Sequence, residues 1–128
     1  PAAQADPALN GATMVVLMME TLEALEHVEE IAAVDGVDMM MVGTSDLTAE
    51  MGIPGQHDDP RVREAYARTI AAMRKHGKHV GVGGLASRPD LTAEFVKLGS
   101  RYVSTGTDLG FLMSACVQKN KQVRDLKT

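Results

Sequence analysis

The chain has 128 residues, with 13 basic and 17 acidic side chains and a net charge of -4. One compact domain is the default at this length, and a closed (β/α)8 barrel, which needs ~250 residues, is excluded for this chain alone. Hydrophobic residues at 45% and charged residues at 23% give an ordinary globular composition. The acidic balance and the scarcity of aromatics argue against a nucleic-acid surface. No apolar run approaches the ~20 residues of a membrane span, so no membrane partner is expected. A single cysteine, Cys116, rules out an internal disulfide and fits a reducing cytoplasm. The chain starts at Pro1 and shows no signal-peptide pattern. Its start reads as an internal cut or a processed end of something larger.

Residues 1–12 are small, polar and proline-bearing, and read as a lead-in loop. Residues 13–128 read as four βα units. Thr13 to Met19 is an all-apolar run, expected to be a strand buried on both faces and ending at Glu20. Thr21 is placed to cap a helix whose apolar spacing continues from Ala24 to Ala33. Asp38 to Val42 is a second buried strand, followed by Gly43-Thr44-Ser45-Asp46 and a short helix from Leu47. Pro60 after Asp59 opens a helix over residues 61–76. His79 to Val82 is a third strand, ending in Gly83-Gly84, and Pro89 opens a helix to Leu98. Residues 101–105 form a fourth strand, and a last helix runs over residues 109–122. Alternating units of this kind require a parallel sheet with right-handed crossovers. Two architectures fit: the second half of a TIM barrel, strands five to eight, or a small open doubly wound α/β sheet.

Both architectures place ligands at the carboxyl ends of the strands. Glu20 and Asp46 stand there, on strands adjacent in a parallel sheet, with Asp108 after the fourth strand. Each has an ordinary alternative role, as a first-turn acid or a helix cap. Two neighbouring carboxylates repel unless a cation sits between them, and an all-oxygen pair with open positions suits Mg²⁺ or Mn²⁺. No lysine falls at a strand's carboxyl end, which disfavours imine chemistry. Of the histidines, His27 and His76 read as solvated, His79 opens a strand at the wrong end, and His57 lies in a loop on the site's side. The Gly81-Val82-Gly83-Gly84 stretch lacks both GxGxxG and the P-loop lysine. Its glycines let backbone or substrate come close to the third strand, with Gly83 a candidate substrate contact.

Taken together, Met18-Met19-Glu20-Thr21, Glu23-Ala24-Leu25, Ile31 to Asp38, Val42-Gly43-Thr44-Ser45-Asp46-Leu47 and Ser104-Thr105-Gly106-Thr107-Asp108 resemble the HpcH/HpaI aldolase family, from about Ala12 to Ala115. The resemblance is to the carboxyl-terminal half of its (β/α)8 barrels. It implies a class II aldolase, which cleaves 4-hydroxy-2-oxo acids reversibly to pyruvate, or a close 2-oxo acid, and an aldehyde. It also implies a divalent metal (Mg²⁺, Mn²⁺ or Co²⁺) held by Glu20 and Asp46, with backbone N–H groups of Ser45 and Asp46 on the substrate carboxylate. The family's catalytic His and substrate-binding Arg belong to its other half, so no catalytic acid/base residue is assigned in this chain. Met18 replaces a common Gln, and Thr44-Ser45 replace the usual Pro-Ala. A related group of CoA-thioester lyases, of the citrate lyase β-subunit and malyl-CoA lyase type, uses a similar acid pair, and a catalytically incomplete half-barrel is the third reading. Family members exchange the last helix between subunits, so a homo-oligomer, a trimer of dimers or similar, is expected.

Overall fold

The computed structural model describes residues 2–126. Its elements are α1 (Ala2–Ala12), β1 (Val16–Met19), α2 (Leu22–Glu26), α3 (Val28–Ala33), β2 (Met39–Gly43), α4 (Thr44–Glu50), α5 (Pro60–Lys75), β3 (His79–Gly83), α6 (Pro89–Leu98), β4 (Tyr102–Val103) and α7 (Asp108–Arg124). The four strands form one sheet in the order β1-β2-β3-β4, every neighbouring pair parallel. A doubly wound sheet reverses direction at a switch point. No reversal occurs here: each unit steps one strand further the same way, as in a barrel. The arrangement is therefore half of a barrel wall, not a small open doubly wound sheet.

Strand alternation separates two faces. Leu17, Met19, Met40, Val42, Val80, Val82 and Val103 point into the core, against Leu25, Val28, Leu47, Val62, Tyr66, Ile70, Met73, Leu91 and Phe95 of the helices. The other face carries Met18, Met41, Gly81 and Tyr102, one in-register row across all four strands. Gly81 makes room for the Tyr102 ring, because a Cβ there would lie 3.0 Å from Tyr102 Cδ1 and 3.4 Å from Met41 Cγ. In a closed barrel this row is a layer of interior side chains. Here it is open, with Met18 46% and Tyr102 48% exposed.

Several elements differ from their sequence reading. Residues 2–12 are helical, where a loop was expected: the alanine-rich composition outweighs Pro7 and Gly11. Thr13 Oγ1 donates to Leu9 O at 2.8 Å at that helix's end. β1 is not buried on both faces. It is an edge strand over an open face, and only Met19 is buried. The single helix expected over residues 24–33 breaks at His27 into α2 and α3, where Arg68 of α5 donates to Leu25 O at 2.9 Å. β4 is limited to Tyr102–Val103, and among the described residues no further strand pairs its outer edge. The starts of α2, α5 and α6 follow the capping logic: Thr21 accepts from Ala24 N, Asp59 accepts from Arg61 N, and Pro60 and Pro89 occupy the first turn. Among the described residues no helix is long and apolar enough to cross a membrane.

Candidate active site

The parallel register delivers the carboxyl ends of β1, β2 and β3 to one edge of the sheet. Glu20 follows Met19 directly and is half-buried. A Cβ on Gly43 would stand 3.1 Å from Glu20 Oε2 and 3.3 Å from Met18 Sδ. The glycine thus leaves space for the β1 carboxylate to lie across the end of β2. Gly43 pairs in register with Gly83 of β3, so two glycines floor the site beside Glu20. Asp46 lies three residues beyond Gly43 and is exposed. It does not cap the helix: α4 begins at Thr44, its N-cap is Gly43 with no side-chain bond, and Asp46 is in the first turn. Asp108, read as a cap or supporting group, is the first residue of α7 behind the Thr107 cap, and its Oδ1 accepts from Leu109 N at 2.7 Å. His57 is half-buried in the loop after α4, and His79 opens β3 at the opposite end of the sheet.

Ser45 is exposed, and the loop after β3 presses on it. A Cβ at Gly84, whose φ is +76°, would meet Ser45 Oγ at 2.9 Å and Ser45 N at 3.0 Å. Gly83 itself is buried, and its carbonyl is engaged: Thr44 Oγ1 donates to Gly83 O at 2.7 Å. That proton assignment leaves Thr44 Oγ1 to accept from the Tyr66 hydroxyl at 2.8 Å. Tyr66 is fully buried and stacks on Phe95, centroids 3.7 Å apart at 10°. Burial pushes its hydroxyl up to about 12, against the opposing pull of the Thr44 bond. The chain Tyr66–Thr44–Gly83 ties α5, the start of α4 and the end of β3 together directly beneath the site. Neither Thr44 nor Tyr66 stands out as a site residue in the sequence. The available signal was a tyrosine on the apolar face of α5, since a buried Tyr O–H needs a partner.

Residues 4–115 match the HpcH/HpaI aldolase/citrate lyase family. The chain belongs to that family. It is 35% identical over 107 residues to a 4-hydroxy-4-methyl-2-oxoglutarate aldolase of Chaetomium globosum, a match over 83% of this chain and 40% of the relative. It is 36% identical over 103 residues to a 4-hydroxy-2-oxo-heptane-1,7-dioate aldolase of Klebsiella pneumoniae, over 80% of this chain and 38% of the relative. Among solved structures, the HpcH/HpaI aldolase of Desulfitobacterium hafniense aligns with a TM-score of 0.80 at 25% identity, covering 99% of this chain and 49% of that one. The citrate synthase SbnG aligns with a TM-score of 0.77 at 29% identity, covering 98% and 52%. The chain therefore spans about two fifths of the curated relatives and about half of these structures.

Glu20 and Asp46 are the residues of this HpcH/HpaI half-barrel that could hold a divalent metal. Among the described residues neither Glu20 nor Asp46 has an ion-pair partner. No group of three or more His, Cys, Asp or Glu stands together as a metal cage there. Two carboxylates with open positions suit a hard cation that keeps waters or takes substrate oxygens, and do not suit structural zinc.

The loops beside the site are clamped. Arg88, before α6, donates to both Asp58 oxygens, at 2.8 and 2.7 Å, and to both Asp90 oxygens, at 3.0 and 2.7 Å. The Arg88 hydrogen bonds hold the Asp58 carboxyl below its usual range and bring Asp90 to about 2. Carboxyls depressed in the folded state contribute stability above their ordinary value near 3.8 and lose it as pH falls through the depressed value. Amide exchange in residues 55–59 and 86–88 is therefore expected to accelerate as pH drops from 4 toward 2, once intrinsic exchange rates are normalised, with the buried middle of α5, residues 65–73, unchanged. Arg88→Gln is expected to produce the same acceleration at neutral pH, and unchanged exchange in both experiments would show that the clamp does not hold these loops.

Proposed function

We propose that the protein containing this chain is a divalent-metal-dependent aldolase. It cleaves 4-hydroxy-2-oxo acids reversibly to pyruvate, or a close 2-oxo acid, and an aldehyde. The observation that carries this reading is the pair Glu20 and Asp46, two acids with no ion-pair partner among the described residues, at neighbouring strand ends of an HpcH/HpaI barrel half. These residues would hold Mg²⁺, Mn²⁺ or Co²⁺. Such an ion supplies a Lewis acid for the negative charge that develops on the keto oxygen, which removes the need for a lysine. The first-turn N–H groups of Ser45 and Asp46 have no side-chain cap competing for them and are assigned to the substrate carboxylate. Gly43 and Gly83 keep the floor clear of side chains, so the 2-oxo acid can approach the backbone. The acid/base group and a cationic substrate contact are assigned to the remainder of the barrel. The apolar residues of α7, among them Phe111 at 56% and Leu109 at 65% exposure, support docking of that helix on a second copy.

The CoA-thioester reading needs free basic groups for the CoA phosphates. Arg61, Arg63 and Arg88 are instead paired with Asp59, Glu94 and the Asp58/Asp90 pair, which favours the aldolase. Cleavage of a 4-hydroxy-2-oxo acid by the intact protein is expected to stop after chelator treatment and return with added Mg²⁺, Mn²⁺ or Co²⁺. Chelator-insensitive cleavage would remove the metal from the reading, and cleavage confined to CoA thioesters would replace the aldolase with the lyase.

A further inference from the structure

At the opposite end of the sheet from Glu20 and Asp46, a cavity of about 220 Å³ opens between the end of α5, the start of β3 and the turn after α6. Its wall includes Arg74, Lys78, His79 and Arg101, with Gly77 and Gly99, and no carboxylate. This is unusual in a chain with more acids than bases. Elsewhere Arg61, Arg63, Lys75 and Arg88 each face an Asp or Glu partner. Basic residues at helix ends commonly complement the carbonyl dipoles, and two of these do: Lys78 Nζ donates to Ala32 O and Val34 O at the end of α3, both at 2.7 Å, and Arg101 Nη1 donates to Val96 O near the end of α6 at 3.4 Å, and to Ser100 O at 3.0 Å. Those bonds position the two cations without neutralising them. Arg74 has no ion-pair partner among the described residues. Gly99, at φ +138°, gives its guanidinium space, since a Cβ there would sit 2.6 Å from Arg74 Nη2.

We propose that this cavity is an anion site for a phosphoryl group, either inorganic phosphate or the phosphoryl end of a small metabolite. Fixed guanidinium N–H donors are suited to phosphate oxygens, which accept bidentate charge-assisted bonds. The cavity is smaller than the ~300–1,000 Å³ of drug-sized ligand pockets, so it admits a small ion or ester and not a nucleotide. β3 separates it from the acid pair by about 13 Å along the strand. Its occupant is therefore an effector or a structural anion and not the substrate of the acid pair, and the site does not depend on the aldolase reading.

The test is calorimetric titration of the full chain with inorganic phosphate at low ionic strength, repeated with glycerol phosphate. Saturable binding below about 1 mM is expected, the strength that a few charge-assisted hydrogen bonds supply. Arg74→Gln and Arg101→Gln are each expected to weaken it about tenfold or more, and amide shifts at Gly77 and Gly99 should report binding independently of the variants. Tighter binding of glycerol phosphate would assign the site to a metabolite, and equal binding to the free ion. Lys119→Gln, remote on α7, should leave binding unchanged. Absence of saturable binding, shifts located elsewhere, or an equal loss in Lys119→Gln would overturn the proposal.

Discussion

Glu20→Gln in the complete enzyme is expected to lower kcat/KM by on the order of 10³, as loss of a metal worth several kcal/mol of transition-state stabilisation requires. The substitution keeps side-chain volume, removes the charge and replaces one acceptor oxygen with a donor NH2. It also keeps the contact with Gly43, where the Glu20 carboxylate lies across the end of β2. Asp46→Asn is expected to behave likewise. Neither substitution should destabilise the fold by more than about 0.5 kcal/mol, because neither acid has an ion-pair partner among the described residues and neither is in the core. This divergence separates a metal ligand from a structural acid. Mn²⁺ affinity, kcat/KM and Tm measured on the same preparations decide it. Near-normal turnover in Glu20→Gln, or a Tm loss that parallels the activity loss, would refute the assignment of Glu20 to the metal.

The legible parts of the fold are those whose signals are local. Pro60 behind Asp59 and Pro89 behind Arg88 set the starts of α5 and α6, and Gly77 and Gly99 follow their ends. The apolar Met39–Gly43 run forms a strand paired on both sides. The acid positions were legible because a parallel sheet turns strand ends into site positions, whatever packs behind them. What remained hidden depends on partners distant in the chain. Val16 and Met18 read as core by composition, yet their burial requires something over the open face of β1. The break at His27 is matched to Arg68, 43 residues from the Leu25 carbonyl it caps. The helix at residues 2–12 was missed for the opposite reason: alanine propensity acted where proline and glycine were read as punctuation. Thr44 and Tyr66, 22 positions apart, gave no pairing signal within either segment.

That hidden pair carries the second large effect. Thr44→Val conserves shape and deletes one hydroxyl, but it strands two buried groups: the Gly83 carbonyl loses its Thr44 donor and the Tyr66 hydroxyl loses its acceptor. An unsatisfied buried polar group costs about 1–3 kcal/mol, so a loss of about 2–4 kcal/mol is expected from denaturant unfolding. Tyr66→Phe is expected to cost only about 1 kcal/mol, because Thr44 still donates to Gly83 and the stack on Phe95 survives. The double variant should then cost less than the sum of the two, since with Phe at position 66 no Tyr hydroxyl is left unpaired. Alkaline pH gives an independent check on the same hydroxyl. Tyr66 ionises near 10 when unfolded and near 12 when folded, so stability present below pH 10 is lost as pH rises toward 12. Tyr66→Phe should abolish that loss, and Thr44→Val should retain it. Additive single-variant costs together with an unchanged alkaline limb in Tyr66→Phe would mean that the pair packs without bonding. Loosening this network would also release Gly83 and the first turn of α4 from each other, so Thr44→Val is expected to weaken Mn²⁺ binding, though less than Glu20→Gln does.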